Sequence, residues 1–391
     1  MSPGRLDSGK ELVDATGGQE RRFADAFRLL EEAIGQKAFP GAALAVTLGD
    51  ELLAWRGFGS FTYEADSPAV RRETVWDLAS LTKAIATTSM AMLLFERGKL
   101  GLDARVVELL PEFADGAGGW LRDGNADRDA PPETQQRGWR EEVTVRMLLA
   151  HSSGLPAHRK LYLADGGREA MLAAARGVRL EARPGTRSKY SDIGFIVLGE
   201  LLEKIAGERM DSFCAREMFN PLRLTMRYVL QAEPLKDVPP TISDFEYRNR
   251  VVQGEVNDEN ASAMAGVAGH AGLFGDAGSV AHFAACLLRG GAPLFRADTV
   301  ELFTARQSGP AGTSRALGWD TPSAPSQSGT KFGKRSFGHL GYTGTSLWCD
   351  AERCLGVTLL TNRTWPDGRN QAIKQVRPRV HDAILSAAEN G

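Results

Sequence analysis

The chain has 391 residues, of which 42% are hydrophobic and 25% charged, and its 47 basic and 49 acidic side chains leave a formal net charge of −2. This composition can supply a full core for two structural units or one large one, and the balanced charge indicates neither nucleic acid nor an anionic membrane as a partner. The polar N-terminal segment lacks an apolar signal-peptide core, and no run approaches about 18 apolar residues. We therefore expect a cytoplasmic protein without a membrane span.

The first part of the chain combines helix and strand patterns. Residues 1–20 form a polar tail, and residues 41–59 contain two apolar runs divided by Leu-Gly-Asp-Glu, which predicts a β-hairpin. From Ser80 onward an apolar stripe with helical spacing predicts a helix, which Gly98 is expected to end. Between tail and hairpin, an amphipathic helix is predicted by Phe23, Phe27, Leu30 and Ile34.

The middle of the chain reads as mainly helical, and strands return near its end. Residues 114–140 are rich in Gly, Asp, Pro and Arg, which predicts a surface loop or insertion. A short helix capped by Thr144 follows, and a longer helix is expected to begin at the Tyr-Ser-Asp of residues 190–192. Residues 336–350 and 354–363 are interpreted as a strand pair, and the C-terminal tail is mostly helical.

Strands at both chain ends and helices between them predict an α+β fold, with an antiparallel sheet flanked by helices. We interpret residues 21–79 and 265–391 as one α/β domain built around this sheet. Residues 80–264 would form a mainly helical inserted domain, with the active site between the two. Short turns between consecutive strands are the basis for the antiparallel arrangement.

The four cysteines are Cys214, Cys286, Cys349 and Cys354, and none belongs to a C-x-x-C motif. A zinc site is therefore not expected. Cys349 and Cys354 flank a predicted turn and could face each other across it. In a reducing compartment free thiols are the favoured state, although pairing of these two remains open.

Most catalytic signatures are missing from the sequence. It contains no G-x-S-x-G, no H-E-x-x-H, no Walker loop and no G-x-G-x-x-G after a strand. What remains is Ser80 three residues before Lys83. Residues at i and i+3 share a helix face, so the hydroxyl and the amine would point into the same space, as in a nucleophile with its activating group. The alternatives are a capping serine and a solvated lysine.

Two further motifs accompany this pair: Tyr-Ser-Asp at 190–192 and His-Leu-Gly at 339–341. The set, in this order, resembles the penicillin-recognising serine hydrolases, and most of all the branch of class C β-lactamases, D,D-peptidases and carboxylesterases. The resemblance extends over about residues 24 to 385 and includes connecting stretches such as LLAHSSGLP. It implies a β-lactamase/transpeptidase-like fold and hydrolysis through an acyl-serine intermediate, without a metal or organic cofactor.

The resemblance also implies a role for each motif residue. Ser80 matches the nucleophile, Lys83 the group that activates it, and Tyr190 the second acid/base that protonates the leaving group. His339 stands where a lysine is usual and would contact a substrate carboxylate or carbonyl. The N–H groups of Ser80 and Tyr342 would form the oxyanion hole, in which one donor is typically worth about a hundred- to thousandfold in rate. Whether Lys83 or Tyr190 is the base stays open.

Five other residues complete the set of candidates. Gly341 would let the strand approach the substrate closely. Asp192 replaces the more usual asparagine; it accepts hydrogen bonds only, and it would hold a neighbouring lysine protonated. His270 lies in a glycine-rich loop and either lines the pocket or binds the loop backbone. Lys331 offers a competing Lys-x-Gly, and His151 is interpreted as a structural turn residue.

The expected substrate is a small-molecule ester or amide. Peptidoglycan and most β-lactams are met outside the cytoplasm, so a carboxylesterase acting on small acyl esters is the first interpretation. A β-lactamase or D-amino-acid peptidase is the alternative, and a non-catalytic penicillin-binding-like protein is a third. The sequence leaves the oligomeric state open.

Overall fold

The computed structural model describes residues 12–115, 133–164 and 166–389. A six-stranded sheet with the order β1-β3-β2-β11-β10-β9 forms its centre, a second sheet has the order β4-β8-β5, and β6 and β7 form a separate hairpin. The strands are β1 (Val13–Asp14), β2 (Gly41–Leu48), β3 (Glu51–Gly59), β4 (Trp76–Asp77), β5 (Arg227–Tyr228), β6 (Ile242–Asp244), β7 (Arg250–Val252), β8 (Leu273–Gly275), β9 (Phe337–Leu340), β10 (Ser346–Asp350) and β11 (Leu355–Thr361).

Helices flank the sheet and make up most of the middle of the chain. They are α1 (Gln19–Arg22), α2 (Ala24–Gly35), α3 (Ser89–Glu96), α4 (Val106–Leu109), α5 (Glu112–Asp115), α6 (Glu133–Glu142), α7 (Val145–Leu149), α8 (Gly167–Gly177), α9 (Asp192–Ala206), α10 (Met210–Cys214), α11 (Glu259–Ala263), α12 (Ala277–Leu288), α13 (Ala297–Thr304) and α14 (Ile373–Glu389). There are also two π-helical segments: Lys83–Thr88 directly precedes α3, and Ala215–Phe219 directly follows α10. Leu161–Leu163 is a 3₁₀ turn. None of the helices in the described residues is long and apolar enough to cross a bilayer.

The central strands are buried on both faces, which is why they read as continuous apolar runs. On β2, Leu44 and Val46 belong to the apolar cluster that includes α2 and α14. Ala43 and Ala45, which alternate with them, belong to the cluster that includes α12 and most of the middle helices. The period of two along the strand thus places one helical layer on each side of the sheet.

Much of the predicted element order is confirmed. The hairpin of β2 and β3, the helix over α2 and the Thr144 cap of α7 all form, and Thr144 Oγ1 accepts the N–H of Met147 at 3.3 Å. Gly98 adopts a φ of 67°, as expected of a residue just after a helix end. All four cysteines are free, as expected. The division of the chain into two domains stays a prediction.

Four details differ from expectation. The sheet is not wholly antiparallel, because β1, which falls within the predicted polar tail, pairs with β3 in parallel. The first strand of the predicted C-terminal pair is two strands, β9 and β10, separated by a turn at Gly344, whose φ is 102°. The prediction of a surface loop over residues 114–140 is wrong at both ends of the segment, because residues 114–115 belong to α5 and residues 133–140 to α6. Residues 116–132 lie outside the described residues. The helix after Ser80 is buried on all sides through Leu94 and carries no amphipathic stripe.

Candidate active site

A strained turn places Ser80 at the start of the helical segment that follows it. The preceding residue, Ala79, has a φ of 48°, which is a costly conformation for a residue with a side chain. The buried Asp77 carboxylate holds this turn by accepting the N–H of Ala79 at 2.8 Å and that of Asn257 at 2.6 Å. Burial raises the pKa of Asp77 to about 6, and the hydrogen bonds it accepts oppose that rise.

Lys83 is fully buried and surrounded by acceptors. Its Nζ atom donates to Ser80 Oγ at 3.0 Å and to the carbonyl of His270 at 2.9 Å, and it lies 2.6 Å from Oδ1 of Asp192. The Tyr190 hydroxyl is also within hydrogen-bonding range, so these acceptors can occupy all three donors of an ammonium group. Burial, the largest single effect, lowers the pKa of Lys83, but the attraction and hydrogen bonding of Asp192 and Tyr190 together outweigh it, so the pKa is raised. In the resting site Lys83 is therefore a cation.

Tyr190 directly precedes α9, where Ser191 caps the helix by accepting the N–H of Gly194 at 2.9 Å. The ring of Tyr190 stacks on His151 with centroids 4.7 Å apart, and the Lys83 ammonium lies 5.0 Å from its centroid. Burial raises the pKa of Tyr190, and the Lys83 charge opposes this effect without reversing it. Tyr190 is therefore a neutral phenol in the resting site.

His339 projects from β9 beside this group, with its ring centroid 6.0 Å from that of Tyr190. Its Nδ1 atom lies 2.8 Å from the carbonyl oxygen of Leu340. Burial, reinforced by the positive charges of Lys83 and Arg315, lowers the pKa of His339 to about 3. The imidazole is consequently neutral at neutral pH, unlike the lysine usual at this motif position.

The turn after β9 lies against the turn that carries Ser80. A Cβ atom on Gly341 would lie 2.7 Å from the carbonyl oxygen of Leu78, so only glycine permits this contact. Gly341 therefore allows the turn after β9 to approach the turn that carries Ser80 closely. Among the described residues, no acceptor takes the N–H of Ser80 or of Tyr342, which leaves both donors available for an oxyanion.

Two arginines that the sequence reasoning did not single out hold this second turn. Arg363 donates from Nε to the carbonyl of Tyr342 at 2.7 Å, and its guanidinium lies 4.4 Å from the centroid of the Tyr342 ring. Arg377 donates to the carbonyl of Gly344 at 3.1 Å. Both arginines are nearly buried. The only advance signal was Arg363 in LLTNRTWP, just after an apolar strand.

A cavity of about 550 Å³ opens at these residues. Most of the candidate residues line it: Ser80, Tyr190, Asp192, His339, Gly341 and Tyr342. Arg315 and His158 are among the further lining residues that the sequence did not reveal, because nothing in their own segments marks them. Arg315 lies 5.5 Å from the Tyr190 centroid and 3.5 Å from Asp320, and His158 lies 3.9 Å from Asp192.

The remaining candidates lie outside the cavity lining. The ring of His270 is buried, with Nε2 2.7 Å from Oδ1 of Asp258, and its contribution to the site is the backbone carbonyl that binds Lys83. His151 adopts a φ of 55° and accepts the N–H of Ser191 at 3.1 Å, so it serves the turn, as expected. Lys331 is exposed and does not line the cavity.

Two relatives are similar to this chain over most of its length. An N-acetylmuramyl-L-alanine amidase of Bacillus subtilis (strain 168) is 31% identical over 361 residues, which cover 83% of this chain and 77% of that protein. A putative D-alanyl-D-alanine carboxypeptidase of Escherichia coli (strain K12) is 29% identical over 320 residues, or 74% of this chain and 69% of that protein.

Solved structures share the fold at lower identity. EstCE1, a hydrolase with promiscuous acyltransferase activity, is 22% identical with a TM-score of 0.69, and the match covers 94% of this chain and 99% of that one. An octameric penicillin-binding protein homologue from Pyrococcus abyssi is 21% identical with a TM-score of 0.68, covering 93% of this chain and 77% of that one. The model of the Beta-lactamase family matches residues 26–379. The chain therefore belongs to the β-lactamase family and is a serine hydrolase.

Proposed function

We propose that this serine hydrolase is a carboxylesterase that acts on small acyl esters through an acyl intermediate on Ser80. The observation that carries the proposal is the charge of the cavity. His339 is neutral, and Arg315, the one permanent cation among the described lining residues, is paired with Asp320. A substrate carboxylate would find no unpaired cation there, whereas a neutral ester needs none.

In the proposed reaction, Oγ of Ser80 forms a bond to the ester carbonyl carbon, and its proton passes to the Lys83–Tyr190 pair. The carbonyl oxygen becomes an oxyanion that accepts the N–H groups of Ser80 and Tyr342. When the tetrahedral intermediate collapses, the pair returns the proton to the leaving oxygen, and the alcohol departs. Water then hydrolyses the acyl-serine ester by the same sequence of transfers.

Because the resting site holds an ammonium and a neutral phenol, the pair must lose one proton before it can act as a base. Strongly coupled groups lose such a proton as a pair, so the base belongs to Lys83 and Tyr190 together. Asp192 makes this loss more difficult, since it stabilises the ammonium. Asp192 also accepts hydrogen bonds only, so it offers no donor to the side-chain amide carbonyl of a β-lactam or peptide.

A second candidate is a D-amino-acid peptidase, or a β-lactamase with modest activity. Arg315 favours it, because its guanidinium lies beside Tyr190 and could bind a substrate carboxylate if it left Asp320. The two relatives, an N-acetylmuramyl-L-alanine amidase and a putative D-alanyl-D-alanine carboxypeptidase, also favour it. For an ester without a carboxylate, the Arg315–Asp320 pair would remain closed.

A substrate panel decides between the candidates. We would measure kcat/KM for p-nitrophenyl butyrate, nitrocefin and a peptide ending in D-alanyl-D-alanine on one preparation, with Ser80→Ala as the inactive control. The ester should give the highest value. If nitrocefin or the peptide exceeds it by about tenfold, a difference of about 1.4 kcal/mol in transition-state binding, the corresponding alternative replaces the esterase.

A further inference from the structure

Exposed apolar side chains are concentrated at one end of the catalytic cavity. The described residues include seven large hydrophobic side chains that are exposed, and four of them lie on two segments, the 3₁₀ turn at Leu163 and the β6–β7 hairpin. We name these four the apolar rim: Leu163, Phe245, Tyr247 and Val251. A fifth, Tyr342, lines the cavity itself. Single exposed apolar residues are ordinary, but a cluster beside a cavity is typical of a binding groove.

Direct contacts join the apolar rim to the cavity wall. Tyr162, next to Leu163, stacks on Tyr247 with ring centroids 4.4 Å apart. The fully buried Asn260 holds the 3₁₀ segment and the residues before it, since it accepts the N–H of Tyr162 at 3.0 Å and donates to the carbonyl of Arg159 at 2.9 Å. The two residues before Asn260 line the cavity, and so does Ile242 on β6. The two segments that carry the rim therefore lie next to the wall of the cavity.

The hairpin that carries most of the rim is firmly anchored. Arg248, between its strands, lies 2.7 Å from Asp244, and these two side chains are only 5% and 8% exposed. Arg248 also donates to the carbonyl of Val256 at 2.8 Å and to that of Asn257. Because Asn257 lines the cavity, the same arginine fixes the hairpin and the cavity wall relative to each other. The apolar surface is thus held in place before any ligand binds.

We propose that the apolar rim is a binding subsite for a large apolar group of the substrate, such as a medium-length alkyl chain or an aromatic ring. The inference rests on the proposed function and extends its substrate class from short acyl groups to medium-length and aromatic ones. The four side chains of the rim are uncharged and largely apolar, so the occupant is an uncharged hydrocarbon group, which they bind by removing apolar surface from water. Each methylene buried on the rim should raise kcat/KM by up to about fourfold.

The test compares chain lengths in matched variants. We would measure kcat/KM for p-nitrophenyl acetate and octanoate below their aggregation limits. In parallel we would measure the rates at which short-chain and long-chain alkyl fluorophosphonates modify Ser80. The variants are Leu163→Ser with Phe245→Ser, and Val13→Ser as the control. Val13 is 59% exposed against 61% for Leu163, but it lies on β1, at the far edge of the sheet from β9.

In the unmodified protein the octanoate should exceed the acetate by about tenfold or more. The double variant should lose about fivefold or more of that preference, while its acetate turnover and melting temperature stay close to those of the parent. Val13→Ser should leave the chain-length preference, the acetate turnover and the melting temperature unchanged. A preference that survives in the double variant, or that is absent from the parent, overturns the subsite.

The fluorophosphonates separate this inference from the proposed function. If no ester is turned over but longer alkyl chains modify Ser80 faster, and the double variant loses that dependence, the esterase fails and the subsite stands. If Ser80 reacts with none of the probes, both fail. If the double variant instead loses sedimentation with phosphatidylcholine vesicles while its chain preference is unchanged, the rim is a membrane-docking face, and the substrate subsite is wrong.

Discussion

The Nζ atom of Lys83 lies 2.6 Å from Oδ1 of Asp192, and the lysine side chain is wholly buried while 19% of the aspartate is exposed. A carboxylate at this distance keeps the lysine charged in a place where burial alone would neutralise it. An asparagine, whose amide can donate a hydrogen bond, is more usual at position 192. In this chain Asp192 provides a negative charge next to Lys83 instead. The pH dependence of the enzyme should therefore depend on Asp192.

Asp192→Asn should move the acidic limb of the pH profile of kcat/KM to lower pH. Asp192 raises the pKa of Lys83, so removing its charge lets the Lys83–Tyr190 pair lose its proton at lower pH. The profile would be measured with p-nitrophenyl butyrate, and the fold checked by thermal melting. An unchanged profile in a well-folded variant would show that Asp192 does not couple to the pair.

Ser80→Ala should abolish turnover and labelling and change the free energy of unfolding by less than about 1 kcal/mol. The Ser80 hydroxyl accepts from Lys83, and no helix cap depends on it. Peptide mapping after treatment with a fluorophosphonate should place the adduct on Ser80 alone. An adduct on Ser152, Ser153 or Ser191 with Ser80 unmodified would contradict the assignment.

Arg363→Met should lower kcat by about tenfold to a hundredfold, with a smaller change in KM, because the turn that presents the Tyr342 N–H would lose its clamp. Arg363→Lys should restore part of kcat, since an ammonium can still donate to the carbonyl of Tyr342. Arg369→Met is the matched control, as the Arg369 side chain is 88% exposed on the same loop. An equal loss in both methionine variants, or a change in KM alone, would argue against a positioning role for Arg363.

His381→Asn should weaken the loss of stability at acidic pH. Burial lowers the pKa of His381 to about 3 from its ordinary 6.5. The unfolded chain therefore binds a proton at this histidine before the folded one does. The full contribution of His381 to stability is present above pH 6.5 and is lost as the pH falls toward 3, at about 1.4 kcal/mol per pH unit.

Denaturant unfolding of the parent and of His381→Asn at several pH values in this window measures the difference in slope. The pKa of His339 is lowered in the same way, so the stability of the His381→Asn variant should keep part of its pH dependence. Identical slopes for the two proteins would mean that His381 is not buried in its neutral form.

Local spacing was sufficient for those features that depend on neighbours in the chain. The three-residue separation of Ser80 and Lys83 brings their side chains within 3.0 Å, because a helical turn places such residues on one face. The apolar runs of β2 and β3, the cap at Thr144 and the glycine stop after α3 are equally local. The family resemblance then linked Tyr190 and His339 to Ser80, which no spacing rule could have done.

The helix α6 shows where local pattern is insufficient. Its sequence, ETQQRGWREE, has Trp139 as its one large apolar residue and therefore shows no apolar stripe. Tertiary contacts hold it, since the buried Gln136 pairs with the backbone of Leu180, and Arg140 donates to the carbonyls of Phe113 and Val178. These partners are distant in the chain, so the local sequence of this segment predicted a surface loop.

From the sequence alone, much of the element order could be predicted, together with the sheet built from both chain ends and the proximity of Ser80 and Lys83. The folded structure sets the charge states of the site residues, because these depend on burial and on neighbouring charges. Lys83 is cationic beside Asp192, and His339 is neutral. The folded structure also decides which distant groups complete the site, such as the carbonyl of His270, which lies 187 residues beyond Lys83 in the chain. Such contacts form only when separate segments pack together and exclude water, and that burial depends on the whole fold.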